Sequence, residues 1–318
     1  MKEYIENYLD GKGSDGLLWS GVASFRNVPS PVSRMTPNIS SWTQDEEDGT
    51  KVTETVAPSG TLVSRFRGSH PVGCPVSTLD DLRAFYEVEA DTVVSLDLSE
   101  LDEYDPVFHR VSVNPTPLQR LLQYDMGLEN FYAFYADHRK PLQQVLEVMM
   151  ANYEEECRLI AKLPVRSVRM VENTSTTMIS PDLYKEFGTS QVAKAAEIFH
   201  DAGKVVIAHM CGLLKALLPL FKDAGIDGVH SLTPPPVGDT TFEMAWDAMG
   251  DAWRVEGRLG TTCWVGKSVD EIRDYLRPLI SQERIEKSPF MLEIHSDGMK
   301  DIPEEDWERV REAVGGLS

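Results

Sequence analysis

The sequence has few cysteines, fewer basic than acidic side chains, and no long apolar run. Its four cysteines among 318 residues are too few and too scattered for a disulfide framework: Cys74, Cys157, Cys211 and Cys263. No stretch approaches the roughly 20 apolar residues that cross a bilayer, which argues against a transmembrane helix. With 31 basic and 51 acidic residues, the formal charge is -20, so we expect neither nucleic acid nor an anionic membrane as a partner.

The remaining composition is that of a globular protein. Hydrophobic residues make up 42% of the chain and are spread along its length, which is ample for a sizeable core. The first residues, "MKEYIENYLDGKG", include acidic side chains and no apolar segment, unlike a signal peptide. We therefore expect a cytoplasmic protein whose thiols are free to bind metal.

After an irregular extension over residues 1–75, strand-like and helix-like patterns alternate. The extension contains "KVTETVAPSGTLVSRF", which predicts a β-hairpin from Lys51 to Phe66. Long helical patterns cover residues 117–163 and residues 211–225, the second ending at Gly225. Seven segments predict strands, with a possible eighth at 17–25: 91–98, 108–114, 167–173, 204–210, 226–232, 253–259 and 290–296.

This alternation, without a break in composition, predicts an α/β fold in a single domain over residues 1–318. Eight strand–helix units in about 300 residues favour a (β/α)8 TIM barrel with the N-terminal extension and hairpin added to it. A doubly wound sheet is the main alternative, but there is neither a GxGxxG sequence opening a helix nor a P-loop.

Reactive side chains cluster where the predicted strands end. In a parallel barrel the active site lies at the carboxyl ends of the strands. The residues found there are Asp97, Glu172 with Asn173, His209 with Cys211, His230, Glu256, and His295 with Asp297. Glu172 and Asp97 are candidates for catalysis, and Asn173, His230 and Glu256 for contact with substrate.

The pair His209 and Cys211 has the spacing of two metal ligands. Side chains two residues apart at the end of a strand point the same way, so imidazole and thiolate can converge on one ion. Zinc suits this mixture of nitrogen and sulfur and needs further ligands, for which Glu172, His295 and Asp297 are candidates. The alternative is a core histidine beside an incidental thiol.

Several of these candidates also have a simpler interpretation. Asp297 and Gly298 are typical of a turn, and Asp97 could begin an acidic, solvated loop. His230 could contact substrate or cap the barrel. Cys157 lies on an apolar helical stripe and Cys263 beside Trp264, so both are expected to be packing residues.

Taken in order from about Pro58 to the C-terminus, these segments resemble the uroporphyrinogen decarboxylase superfamily. Within it the chain is similar to the zinc-dependent methylcobalamin methyltransferases. "VENTSTTMISPDLYKEF" resembles their Glu, polar loop and Ser-Pro-x-x-(Phe/Tyr) sequence. "HMCGLLKALLPLFKDAGIDGVHSLTPPPVGD" resembles their His-x-Cys-Gly, helix and Gly-x-Asp-Gly pattern.

The resemblance implies a barrel that binds zinc through Glu172, His209 and Cys211. It further implies transfer of a methyl group, from a corrinoid carried by a partner protein, to a thiol or similar small acceptor. The family's fourth ligand is a cysteine after the last strand, where this chain has "HSDG". His295 or Asp297 would replace that cysteine, or the zinc would be lost.

Two other functions remain open at this stage. One is metal-free decarboxylation of a tetrapyrrole or related acid, with Asp97 at the place of that branch's catalytic aspartate. The decarboxylases carry an Arg-Gln-Ala-Gly-Arg motif, against which only Arg26 and Arg34 in "SFRNVPSPVSRM" can be set. The other is a non-catalytic barrel that binds a corrinoid or a partner.

Overall fold

The structure, a computed structural model, describes residues 2–19, 25–98 and 104–317. Backbone contacts divide the chain into two compact units, where the sequence predicts one domain. The first unit comprises Met1–Pro29, Glu103–Asn114 and Pro164–Ser318, and the second comprises Ser30–Asp102 and Pro115–Leu163. In the described part of the chain, no helix is both long and apolar enough to cross a membrane.

The first unit is an α/β fold around a parallel sheet. Its strands are β1 (Leu18–Trp19), β2 (Arg26–Val28), β9 (His109–Val113), β10 (Ser167–Val171), β11 (Val205–His209), β12 (Gly228–Leu232), β13 (Arg254–Leu259) and β14 (Phe290–Ile294). Neighbouring strands are paired in the order β1-β14-β13-β12-β11-β10-β9-β2, and every pair is parallel.

Helices connect these strands because apolar and polar residues alternate at helical spacing between them. The helices of the unit are α1 (Lys2–Leu9), α6 (Pro181–Leu183), α7 (Thr189–Asp201), α8 (Leu218–Ala224), α9 (Phe242–Met249), α10 (Val269–Leu276), α11 (Gln282–Lys287) and α12 (Glu304–Gly315). A π-helical turn, Tyr184–Gly188, follows α6, and a short 3-10 turn, Thr261–Cys263, follows β13. Ser180 caps α6 by accepting from the backbone N–H of Leu183.

The second unit combines two antiparallel sheets with helices. β5 (Thr50–Ala57) and β6 (Gly60–Arg67) pair across Pro58 and Ser59, and β4 (Ser40–Asp45) and β7 (His70–Gly73) complete a four-stranded sheet. β3 (Val32–Met35) pairs with β8 (Val93–Leu96). The helices are α2 (Leu79–Asp91), α3 (Pro117–Arg120), α4 (Gly127–Asp137) and α5 (Arg139–Ala161).

The segment 91–98 is a strand, but its predicted place in the parallel sheet is wrong. β8 runs antiparallel to β3 in the second unit, with Val32 opposite Leu96. The partner of β9 is instead β2, a strand of three residues that is too short to show a pattern. The possible strand at 17–25 is partly β1, and residues 20–24 lie outside the described part.

Two helix predictions are also corrected. The stretch 117–163 is broken by a π-helical turn, Leu121–Asp125, and again at Gly127 with a φ of 73° and at His138. The helix predicted from residue 211 begins only at Leu218, although it ends at Gly225 as expected. The residues before Leu218 form a loop instead, because the Asp239 carboxylate accepts hydrogen bonds from the backbone N–H groups of Leu214 and Lys215.

A cluster of charges is buried inside the second unit. Glu89 accepts from Arg34 and from Arg120, both at 2.7 Å, and Asp125 lies 2.9 Å from Nε of Arg120. Glu156, which is fully buried, is the third carboxylate of the cluster. Burial of Asp125 outweighs the attraction of Arg120 and raises the pKa of this carboxyl to about 6.

We expect Asp125→Asn to flatten part of the pH dependence of stability. A pKa raised from 3.8 to about 6 contributes stability that is complete below pH 3.8 and is lost as the pH rises through about 6. That loss amounts to about 3 kcal/mol, at roughly 1.4 kcal/mol for each pKa unit. Urea unfolding of both proteins across this window measures it, and parallel stability curves would contradict the prediction.

Candidate functional site

The parallel sheet brings several predicted site residues to adjacent strands. His209 in β11 is the register partner of His230 in β12, which is the partner of Glu256 in β13. Paired residues of parallel strands point to the same face of the sheet. The three side chains therefore form a row across the sheet, with His209 at the carboxyl end of β11 and His230 in the middle of β12.

The two histidines of this row are in direct contact. Nδ1 of His209 lies 2.6 Å from Nδ1 of His230, and the ring centroids are 4.8 Å apart. On its other side, Nε2 of His230 lies 3.1 Å from Oε1 of Glu293 in β14. Burial, followed by the cationic groups around it, lowers the pKa of His209 to about 3, so this imidazole is neutral at neutral pH.

Glu256 is held in a fully buried ion pair with Arg110 of β9. Two parallel hydrogen bonds of 2.8 and 2.6 Å join the guanidinium to the carboxylate, and Tyr8 of α1 donates a third at 2.5 Å. Phe25 packs against the guanidinium, 3.7 Å from ring centre to carbon. Burial alone would raise the pKa of Glu256, but the attraction of Arg110 and His230 outweighs burial and lowers this pKa below its ordinary value. The carboxylate is therefore charged at neutral pH.

Cys211 and Glu172 follow the ends of the neighbouring strands β11 and β10. His209 and Cys211 are half-buried while Met210 between them is fully buried, so the two ligand candidates share the open side of the chain. Glu172 is fully buried. Its charge, after burial itself, raises the pKa of the nearby Tyr184, whose hydroxyl has no hydrogen-bond partner among the described residues.

The loops that carry Glu172 and Cys211 are joined by hydrogen bonds. The N–H of Asn173 donates to the carbonyl of His209 at 2.8 Å, and the N–H of Leu213 donates to Oγ of Ser175 at 3.1 Å. Gly212 has a φ of 122°, and a Cβ there would lie 2.8 Å from Oγ of Ser175. A residue without a Cβ is therefore needed at position 212 for the two loops to approach this closely.

His295 and Asp297, the two candidates for a further ligand, are bonded to each other and to β13. Nδ1 of His295 lies 3.1 Å from Oδ1 of Asp297, and that oxygen is also paired with Arg258. Oδ2 of Asp297 accepts from the hydroxyl of Thr261 at 2.8 Å. Both oxygens of Asp297 therefore already have donors. Burial alone would raise the pKa of Asp297, but the hydrogen bonds from Arg258 and Thr261 outweigh burial and keep this pKa well below its ordinary value.

Three potential metal ligands lie within 4.8 Å of one another: His230, Glu256 and Glu293. This group does not include the predicted ligands His209, Cys211 and Glu172. Two guanidinium groups already contact it, because Arg110 is paired with Glu256 and Arg169 lies 3.4 Å from Nε2 of His230. A cation would have to displace these guanidinium contacts.

Asp97 is the one sequence-predicted site residue that belongs to the second unit. It follows β8 in the second unit and is exposed, whereas the remaining candidates belong to the first unit. Its role in catalysis stays a prediction.

Four residues of this arrangement are not among the sequence-predicted site residues: Tyr8, Arg110, Arg169 and Glu293. Three of them were visible as charged residues inside apolar strands, in "HRVSV", "SVRMV" and "FMLEI". A charge in a buried strand needs a partner, which is a usable signal for a polar network. Tyr8 gave no such signal, because it is an uncharged residue on a helix and its partner lies 248 residues away.

We expect Arg110→Met to destabilise the protein by about 3 to 5 kcal/mol, because it leaves Glu256 buried without a counter-charge. The double variant Arg110→Met with Glu256→Met removes both charges and should recover much of that loss. Urea denaturation measures both, with Arg158→Met on the exposed face of α5 as the control. A single variant as stable as wild type would contradict this account of the pair.

Comparisons with known proteins agree with this fold. The profile of the family Uroporphyrinogen decarboxylase (URO-D) matches residues 120–317. No curated protein matches the chain. The structure is similar to a methyltransferase from Methanosarcina mazei, with 14% identity, a TM-score of 0.52, and coverage of 80% of this chain and 72% of that chain.

A D-psicose 3-epimerase from Clostridium cellulolyticum H10 matches with 12% identity, a TM-score of 0.40, and coverage of 74% of this chain and 83% of that chain. At 14% identity, the likeness to the methyltransferase describes the fold and not the activity. The family profile, by contrast, covers more than half of the sequence. The chain therefore belongs to the uroporphyrinogen decarboxylase (URO-D) family.

Proposed function

We propose that this chain is a methyltransferase of the family, and that Glu172, His209 and Cys211 hold a zinc ion. The methyl group would come from a corrinoid carried by a partner protein and pass to a thiol or similar small acceptor. The observation that carries the proposal is the shared orientation of His209 and Cys211 at the end of β11, beside the loop of Glu172. We also propose that the parallel sheet closes as a (β/α)8 barrel.

The donor set fits zinc in its chemistry. An imidazole nitrogen, a thiolate and a carboxylate are all common zinc ligands. His209 is neutral at neutral pH, as a ligand must be, and its Nε2 has no hydrogen bond within the described residues. The hydrogen bonds between the two loops keep the backbone of Glu172 and Cys211 in place.

The chain's own residues would then bind and orient the acceptor. Zinc, when bound, supplies a Lewis acid that lowers the pKa of a coordinated thiol. His295 is better placed than Asp297 to complete the ligand set, because both oxygens of Asp297 are engaged by Arg258 and Thr261. Asn173 follows Glu172 directly and would contact the acceptor.

We expect purified wild-type protein to hold about one zinc per chain and Cys211→Ser to lose most of it, since a thiolate is replaced by a poorer ligand. Cys74→Ser, in the second unit, is the matched control and should keep its zinc. Elemental analysis of protein without a histidine tag gives the stoichiometry.

The activity itself is tested with methylcobalamin and a panel of small thiols. Demethylation of the cofactor by wild type and by Cys74→Ser, but not by Cys211→Ser, is the expected result. Equal zinc content or equal rates in all three proteins would show that Cys211 is not a ligand.

A second function, decarboxylation of a tetrapyrrole or related acid, is favoured by the positive charges near His209. Arg169 and Arg258 both contribute to lowering the pKa of that histidine, and guanidinium groups suit carboxylates. However, Arg258 is paired with Asp297, and Arg169 is bonded to Ser112 at 3.1 Å. Incubation with uroporphyrinogen separates the two functions: we expect no loss of carboxyl groups, and carbon dioxide release would favour the decarboxylase.

A further inference from the structure

We propose that the second unit contains a binding site for a small organic ammonium ion, with Asp125 as the carboxylate that receives it. The site is a cavity of 190 Å³, lined by β5 and β6 on one side and by α2, α3 and the π-helical turn on the other. Every lining residue belongs to the second unit. The proposal is therefore independent of the zinc site, whose residues belong to the first unit.

The sheet side of the cavity is polar, although α2 packs against these strands. Thr53 and Thr55 of β5 and Ser64 of β6 line it, and Thr53 is the register partner of Ser64. A sheet face that is covered by helices is normally apolar, so packing does not account for three hydroxyl groups here. Each hydroxyl oxygen can accept hydrogen bonds, which suits a ligand that brings N–H donors.

Aromatic rings form another part of the wall. Phe66 and Tyr124 are stacked with their ring centres 6.4 Å apart, and the guanidinium carbon of Arg120 lies 5.5 Å from the ring centre of Phe85. Aromatic faces attract cations. A bare metal ion needs several oxygen ligands, so rings and hydroxyls together favour a cation with a short hydrocarbon part.

Asp125 is a buried carboxylate whose charge is incompletely neutralised. It is 9% exposed, and its Oδ2 lies 2.9 Å from Nε of Arg120 but accepts no aligned hydrogen bond from the described residues. Glu89, by contrast, accepts hydrogen bonds from both Arg34 and Arg120. Burial raises the pKa of Asp125 to about 6 even beside Arg120, so a second cation would stabilise its ionised form.

The charges of the whole cluster also favour a cation. Two guanidinium groups, Arg34 and Arg120, face three carboxylates, Glu89, Asp125 and Glu156. With all five groups ionised the cluster has a net charge of -1, which an ammonium ion would neutralise. A carboxylate ligand would instead add a fourth negative charge, although Arg120 also lines the cavity.

The volume of the cavity limits the size of the ligand. At roughly 30 Å³ for each water-sized group, 190 Å³ corresponds to about six such groups. n-Propylammonium is within this limit and carries both a charge and a short hydrocarbon chain. It is therefore the probe for the site.

The first test is titration of the full chain with n-propylammonium at neutral pH, followed by 1H–15N NMR. We expect saturable shifts at the amides of Ser64 and Asp125. 1-Propanol lacks the charge and should bind about 10- to 100-fold more weakly, which is the worth of a hydrogen bond to a charged group. β-Alanine adds a carboxylate and should also bind more weakly. Equal binding of 1-propanol, tighter binding of β-alanine, or no saturable shift with n-propylammonium would overturn the proposal.

The second test locates the site with single variants. Asp125→Asn keeps the size of the side chain and removes the charge, so we expect n-propylammonium to bind about 10- to 100-fold more weakly. Ser64→Val removes a hydroxyl from the sheet wall, leaves the charge cluster intact, and should weaken binding by about 2- to 10-fold. Asp137→Asn, at the exposed end of α4, is the matched control and should bind as wild type does. Wild-type affinity in either cavity variant would contradict the assigned site.

Discussion

The buried ion pair of Arg110 and Glu256 is the constraint on which the rest of the sheet interior depends. It joins β9 to β13, and Tyr8 ties α1 to the same carboxylate. Two charges with no exposure to water are tolerated only when nearly all of their hydrogen-bonding groups are satisfied. The Glu256 carboxylate also lies 3.8 Å from Nε2 of His230, so the ion pair places a negative charge beside that imidazole. His209 is aligned in turn by His230.

Much of the fold could be predicted from local patterns in the sequence. β9 to β14 lie where β-branched and apolar runs predict strands, because each such run forms a buried strand of a parallel sheet. Partner choice is not a local property, so β8 was placed in the wrong sheet and the three-residue β2 was overlooked. The loop before α8 was missed for a similar reason, since Asp239 binds its N–H groups from 24 and 25 residues away.

The prediction of a metal site depends on positions within single strands, and it stays a prediction. His209 and Cys211 two apart, and Glu172 after a buried strand, indicate ligands without any knowledge of distant partners. The contact of His209 with His230 and the engagement of Asp297 by Arg258 depend on register between strands. Register of that kind was not readable from a single sequence. The charged residues inside β9, β10 and β14 were the available sign that such partners exist.

Zinc-edge X-ray absorption of the zinc-loaded protein tests the central claim most directly. The donor set Glu172, His209 and Cys211 predicts one sulfur at about 2.3 Å together with nitrogen and oxygen at about 2.0 to 2.2 Å. The sulfur should disappear in Cys211→Ser and remain in Cys74→Ser. A first shell of nitrogen and oxygen alone in the wild type would contradict the account. It would point instead to the group of His230, Glu256 and Glu293.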